Sequence, residues 1–253
     1  MINHWRSLLP KLAVLAIATL VILIFGSSWL DSQISLSADL PPAKVHSLPK
    51  SLANWQDRAK SGDYFRQTKS TPLGYLVWSK FPVTVFVEKP LKASIADTAA
   101  ERRFQEWVIA VRKAIAGWNV YLPLKEIADS EKADIVIWRS QPEREAKLNP
   151  DTGLFDIPRA VTAETNYKFY LGQKPRLIAH KMTIEISPSY TGESLLATAR
   201  HELGHALGIW GHSSNKNDAL YFSQVSYPPA ISSRDINTLK KIYQQPTKLG
   251  WKI

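Results

Sequence analysis

The sequence predicts an α+β domain, and three features carry that reading. Short runs of alternating or β-branched residues recur between residues 75 and 138 and again between 160 and 187. One long stretch among them, Asp97 to Trp118, has apolar residues at helical spacing instead. Past residue 190 the pattern turns helical for good, around Leu195 to Leu207 and from Ser232 to about Gln244.

Residues 1–11 carry Arg6 and Lys11 and no acid, and the nineteen residues from Leu12 to Leu30 carry no charge at all. A bilayer-spanning helix needs about twenty mostly apolar residues, whereas a cleaved signal peptide has an apolar centre of roughly 7 to 15 and a small-residue cut site. The densest part ends at Phe25, and Gly26-Ser27-Ser28 offers such a site, yet Trp29 and Leu30 continue the apolar run and suit a membrane interface. Both outcomes keep residues 1–11 in the cytoplasm and export the rest of the chain. The expectation is a signal anchor over 12–30, giving a single-pass protein of the cell membrane with an extracytoplasmic domain. The alternative is a secreted or periplasmic protein after cleavage. From Asp31 to Ser70 the chain turns to Ser, Pro, Lys and Asp, including L-P-P-A-K and S-L-P-K, which reads as an extended tether. A second reading packs its Trp55 and Tyr64 on the domain. The folded part is placed at 71–253.

Within it, Tyr75 to Trp78 and Pro82 to Glu88 read as strands. In the next element, a helix, Phe104, Trp107, Val108, Val111, Ile115 and Trp118 form an apolar face opposite charges. Leu122 to Ile127 and Ala133 to Trp138 are two further strands. Gln141 to Pro158 is a polar loop, and Ala160 to Tyr170 with Arg176 to Ser187 is a hairpin turning at Gly172 to Pro175. Leu195, Ala199, Leu203 and Ala206 give the next helix a face to bury. Ser232 with Asp235 caps the last one, whose Ile236, Leu239, Ile242 and Tyr243 point inward until Pro246.

The chain has 253 residues, enough to bury a core unaided, and no cysteine, so neither disulfide nor thiolate ligand is available. Lys and Arg outnumber Asp and Glu by 32 to 22, a net charge of +10 that favours anionic partners. The basic residues are scattered in pairs such as Arg102-Arg103 and Lys240-Lys241, so a solvated surface is expected and nucleic acid is not.

Chemistry concentrates in R-H-E-L-G-H-A-L-G-I-W-G-H-S, residues 200–213. His201 and His205, four apart on a helix, bring their imidazoles to within about 6 Å on one face, close enough to grip one metal ion. Glu202 stands one step round, where it reaches a water beside the metal without being a ligand, as a general base must. Gly208 lets the helix end and the chain turn back, and His212 lies on that turn. Three neutral nitrogens leave a fourth position of tetrahedral Zn²⁺ open, which separates a catalytic site from a closed structural one. His180, alone among apolar residues, reads as structural. No glutamate follows Glu202, so a downstream Glu ligand is excluded, but Asp218 remains an alternative to His212 as third ligand.

His201, Glu202, His205, Gly208 and His212 resemble the zinc signature of the metzincin metalloproteases, and the order strand, helix, P-L-K-E-I, A-D-I-x-I resembles the matrixin branch, from about residue 75 to 245. The family pattern puts its third histidine where this chain has Gly211, one residue earlier. Its methionine turn beneath the zinc falls at Leu220, a nearly volume-conserving replacement. The resemblance implies a metzincin-like fold: a twisted, mostly parallel sheet, a backing helix and an active-site helix, and a small irregular C-terminal part with a final helix. It also implies one catalytic Zn²⁺, peptide or protein substrates paired along an edge strand, and metalloendopeptidase activity with Glu202 as base. Tyr221 or Tyr227 is a candidate donor to an oxyanion. Without a cysteine latch, latency would fall to the 31–70 stretch, with Asp57 or Asp63 reaching the metal. Two other functions fit the same residues: a membrane-anchored metal-binding scaffold, and a zinc hydrolase of non-peptide amides such as cell-wall material. A calcium requirement is not readable.

Overall fold

The computed structural model describes residues 40–90, 98–143, 147–148, 155–156, 162–223 and 229–253, and residues 42–253 form one compact unit. The uncharged run at 12–30 lies outside the described residues; among those described, no helix is long and apolar enough to cross a membrane.

The elements in chain order are a short helix α1 (Lys50–Ala53), strand β1 (Val83–Val87), helix α2 (Ala99–Asn119), strands β2 (Leu124–Glu126) and β3 (Ile135–Trp138), a two-residue pair β4 (Lys147–Leu148) and β5 (Phe155–Asp156), the hairpin strands β6 (Ala163–Gln173) and β7 (Arg176–Ile186), and helices α3 (Gly192–Ala206) and α4 (Ser233–Tyr243). The main sheet runs β2-β1-β3-β7-β6. Its first four strands are parallel, in registers such as Val85 with Ile135 and Ile137 with Ile184. β6 is antiparallel to β7 and forms one edge of the sheet, with Thr165 opposite Ile184. The α+β architecture with a mostly parallel sheet is therefore as expected.

Val83, Val85, Val87, Ile135, Met182 and Ile184 bury one face of this sheet completely. Helix α2 lies on it because Trp107, Val108, Val111, Ala114 and Trp118 share one side, and Thr98 caps its start by accepting from the Glu101 amide at 3.2 Å. Trp118 donates its indole N–H to the Arg200 carbonyl at 2.9 Å, which ties α2 to α3. At α4, Ser232 and Asp235 form the reciprocal cap that their spacing announces.

Two expectations are corrected. Tyr75 to Trp78 is not a strand. Its backbone finds partners outside the sheet, and Trp78 sends its indole N–H to the Ala206 carbonyl at 3.0 Å. The folded part begins near residue 42, not 71, because the described part of the presumed tether is packed. Lys44 exchanges backbone hydrogen bonds with Thr247 at 3.0 and 2.9 Å, and Trp55 donates to Asn237 Oδ1 at 2.9 Å. Tyr64 is buried, with its amide on Thr238 Oγ1 at 3.0 Å and its hydroxyl on Asp235 Oδ1 at 2.6 Å. This segment covers α4 and then runs up to the loop after α3.

Candidate metal centre

Helix α3 carries His201, Glu202 and His205, and ends where Gly208 takes φ of +122°. A side chain there would be strained by the backbone and would meet the Leu76 carbonyl oxygen at 2.6 Å, so only glycine permits this turn. The turn brings His212 back over the helix. The ring centroids of His201 and His205 are 4.8 Å apart, those of His205 and His212 4.8 Å, and those of His201 and His212 5.2 Å. One nitrogen from each lies within 4.8 Å of the others.

The position of the third histidine has a steric cause. Gly211 pairs with Thr68 of the N-terminal segment, and a Cβ on Gly211 would run into the Gln67 carbonyl oxygen. The position that the family pattern makes histidine is here pressed against another stretch of chain, and the histidine stands one place on. Asp218 is not part of the cluster. It is fully buried and engaged by the Ser213 and Ser232 hydroxyls and by Arg234 Nε at 3.0 Å.

The donor set fits a divalent cation. His201 Nδ1 sits 2.9 Å from the Ala219 carbonyl oxygen and His205 Nδ1 2.8 Å from that of Ile209. A carbonyl only accepts, so both Nδ1 atoms carry the proton and both Nε2 atoms present lone pairs. Those two Nε2 atoms are 3.1 Å apart, and two lone pairs facing each other at that distance call for a cation between them. Burial lowers the pKa of both rings to about 4, and lowers that of His212 as well, so all three are neutral at physiological pH. They can bind a metal without first losing protons.

Glu202 is 8 % exposed, and burial raises its pKa, against the lowering influence of His201 and of Thr165. Thr165 of β6 donates its hydroxyl to Glu202 Oε2 at 2.6 Å. Nothing in the sequence singled out Thr165, one hydroxyl in an alternating strand. Leu220, where the resemblance expects methionine, is fully buried against Gly204, the residue just before His205. Beneath it, Asp235 accepts from the Ala219 amide at 2.9 Å, so the residue whose carbonyl orients His201 is itself held by α4. His180 lies apart, buried and stacked on Trp78 with centroids 3.9 Å apart.

Two hollows open beside Glu202. One, of about 580 Å³, lies over the histidines and is lined by Gln67, Lys69, Thr165 and Trp210. The other, of about 220 Å³, runs between His201 and the segment after Leu220, lined by Thr162, Tyr190, Ala197, Tyr221 and Phe222. Tyr221 thus reaches the site, while Tyr227 lies outside the described residues. Asp57 and Asp63 do not reach it. Asp57 accepts from Asn237 and from Ser61, and Asp63 pairs with Lys241 at 2.6 Å on α4.

Sequence comparison agrees with this geometry. The profile of the matrixin family matches residues 86–244. A curated relative, the macrophage metalloelastase of Oryctolagus cuniculus, is 29% identical over 181 residues. The alignment covers 68% of this chain and 35% of that protein, so the chain spans about a third of the length of the relative it matches.

Proposed function

Starting from the matrixin family of zinc metallopeptidases, to which this chain belongs, we propose that it is an exported, membrane-anchored endopeptidase in which Glu202 is the general base. The observation that carries the site is the pair of Nε2 lone pairs on His201 and His205, 3.1 Å apart, with His212 as third ligand beside them. Zn²⁺ bound there supplies Lewis acidity, polarising a peptide carbonyl and making water acidic enough to lose a proton near neutral pH.

The remaining steps belong to the chain. Ala219 and Ile209 carbonyls hold the ligand rings in the tautomer that leaves Nε2 free. Thr165 occupies Glu202 Oε2, so Oε1 is the atom left to take the proton from the attacking water. The same oxygen then delivers it to the departing amine nitrogen. A carboxyl raised by burial suits both halves of that transfer, because a base too weak could not take the proton and one too strong would not give it up. An extended substrate has room along the outer edge of β6, since Ala163 to Thr165 border the cleft there, and the hollow lined by Ala197, Tyr190 and Phe222 suits an aliphatic or aromatic side chain next to the cut bond. The anchor itself is inferred from the uncharged run 12–30 behind a basic flank.

The test is a pair of assays on the purified full chain with a mixed peptide library, with and without a chelator. Cleavage should disappear with the metal and return with Zn²⁺. Glu202→Gln should keep one zinc per chain and lose turnover by orders of magnitude; unchanged turnover would remove Glu202 from the mechanism, and a zinc-loaded chain that cleaves nothing in the library would favour the scaffold reading.

A further inference from the structure

Of the eight large apolar side chains exposed among the described residues, five (Val45, Phe169, Tyr170, Leu171 and Ile253) belong to three segments that lie side by side. Their adjacency comes from register. Leu171 pairs with Ile178 and Gln173 with Arg176 across the β6–β7 hairpin, Leu177 bridges to Lys252 of the C-terminal tail, and Lys44 bridges to Thr247 at the base of that tail. His46 stacks on Trp251 with centroids 4.1 Å apart, and Lys44 Nζ lies 5.5 Å above the same ring. At the hairpin end Tyr170 is 49% and Leu171 45% exposed.

The charged side chains of these segments are of one sign. Lys44, Lys168, Lys174, Arg176 and Lys252 belong to them, and the sequence holds no acid between Asp39 and Asp57, between Glu164 and Glu185, or after Asp235. One carboxylate from elsewhere, Asp134, raises the pKa of the Tyr170 hydroxyl, after burial as the larger cause. It is held by the Thr84 amide at 2.8 Å and hydroxyl at 2.6 Å.

We propose that this face, formed by the hairpin end, the C-terminal tail and residues 44–46, docks on an anionic lipid bilayer. Tyr170, Leu171 and their apolar neighbours enter the headgroup layer, and the Lys and Arg heads meet lipid phosphates. The apolar groups stand on both sides of a hairpin end, Tyr170 beside Ala179 and Leu171 beside Ile178, and on a tail, an arrangement that a yielding surface can surround better than a folded partner can. Chain connectivity points the same way. The uncharged run ends at Leu30 and the compact unit begins at Pro42, so about a dozen residues, at most roughly 40 Å of chain, join a seated anchor to the segment that carries Lys44. That last point rests on the anchored reading; the charge and apolar pattern does not.

Because the chain has no cysteine, Leu171→Cys accepts a single environment-sensitive dye, and Ile109→Cys, 52% exposed on α2, serves as the control. The labelled full chain is mixed with vesicles of phosphatidylcholine alone or with phosphatidylglycerol added, each carrying a quencher in the bilayer. The expected result is quenching at residue 171 on phosphatidylglycerol vesicles only, weakened by salt, with residue 109 silent. Lys174→Gln with Arg176→Gln should lower the bilayer-docked population relative to the undocked one roughly twenty-five-fold, about fivefold per charge. Cleavage of a short soluble peptide should not change.

The two readings separate cleanly. A chain that sediments with both vesicle types while residue 171 stays in water keeps the anchor and overturns the docking face. One that sediments only with phosphatidylglycerol, with residue 171 quenched, keeps the face and removes the anchor; sedimentation with neither overturns both. A dye at residue 171 that answers to dissolved polyglutamate and not to vesicles makes the face a site for acidic protein, and overturns the lipid proposal.

Discussion

Thr165 donates its one hydroxyl proton to Glu202 Oε2, and in doing so fixes which carboxylate oxygen remains for the proposed proton transfer. Thr165→Val keeps the shape and removes the bond, so the carboxylate can rotate away from the reactive position. A lost hydrogen bond to a charged acceptor of about 1.5 kcal/mol corresponds to roughly a tenfold fall in kcat/KM. Zinc content should stay at one per chain and Thr165→Ser should recover most of the rate; a variant that also loses zinc would give Thr165 a structural role instead. Asp218 and His212 are separated by a similar comparison. His212→Ala should weaken zinc binding sharply. Asp218→Asn should leave zinc in place and lower unfolding stability by about 2–3 kcal/mol, because it breaks a buried network that includes Arg234. The sequence left these two candidate ligands open because the bonds of Asp218 to Ser232 and Arg234, which keep it out of the cluster, and the Gln67 carbonyl against Gly211, 144 positions away, are contacts that no local pattern reports.

At the scale of elements, what could be read from the sequence was what repeats locally. The buried stripe of α2 and the reciprocal cap of α4 each depend on neighbours within a turn or two, and both are found where their spacing puts them. Tyr75 to Trp78 misleads because an apolar, aromatic run looks the same whether its backbone pairs in a sheet or lodges against α3 and α4. The N-terminal segment misleads differently. Its Pro, Ser and Lys content is that of a tether, and the side chains that dock it, Trp55 and Tyr64, are single residues whose partners stand 182 and 171 positions further on. Once docked, it cannot serve as the inhibitory cover that its aspartates suggested. Through Asp235 the Tyr64 hydroxyl supports Ala219, whose carbonyl holds His201, and Thr68 lies against the turn before His212. Tyr64→Phe should therefore lower stability by about 1.5–3 kcal/mol, the range for a hydrogen bond to a charged group. Deleting residues 42–71 should abolish cleavage, measured on the same peptides; a gain in activity would restore the inhibitory reading.

Across the whole molecule, histidines buried neutral make stability depend on acid. In the zinc-free chain burial lowers His180 to about 3 and His201 and His205 to about 4. An unfolded chain binds protons at all three near pH 6.5, whereas the folded chain does not, so the unfolded state takes up more protons as pH falls. Their contribution to stability is complete above pH 6.5 and is lost progressively between 6.5 and 4, His180 continuing down to 3. Each site gives a slope of about 1.4 kcal/mol per pH unit where its two states differ fully, so the three together approach roughly 4 kcal/mol per pH unit. His180 contacts neither metal nor cleft: it stacks on Trp78, and its Nε2 is buried without a partner. His180→Phe should thus lower the acid slope of the chelated protein by at most about 1.4 kcal/mol per pH unit while leaving zinc binding and cleavage at neutral pH unchanged. Urea unfolding in chelator at several pH values between 7.5 and 5 measures the slope directly, and a slope equal to that of the unsubstituted chain would show that His180 is protonated in the folded state after all.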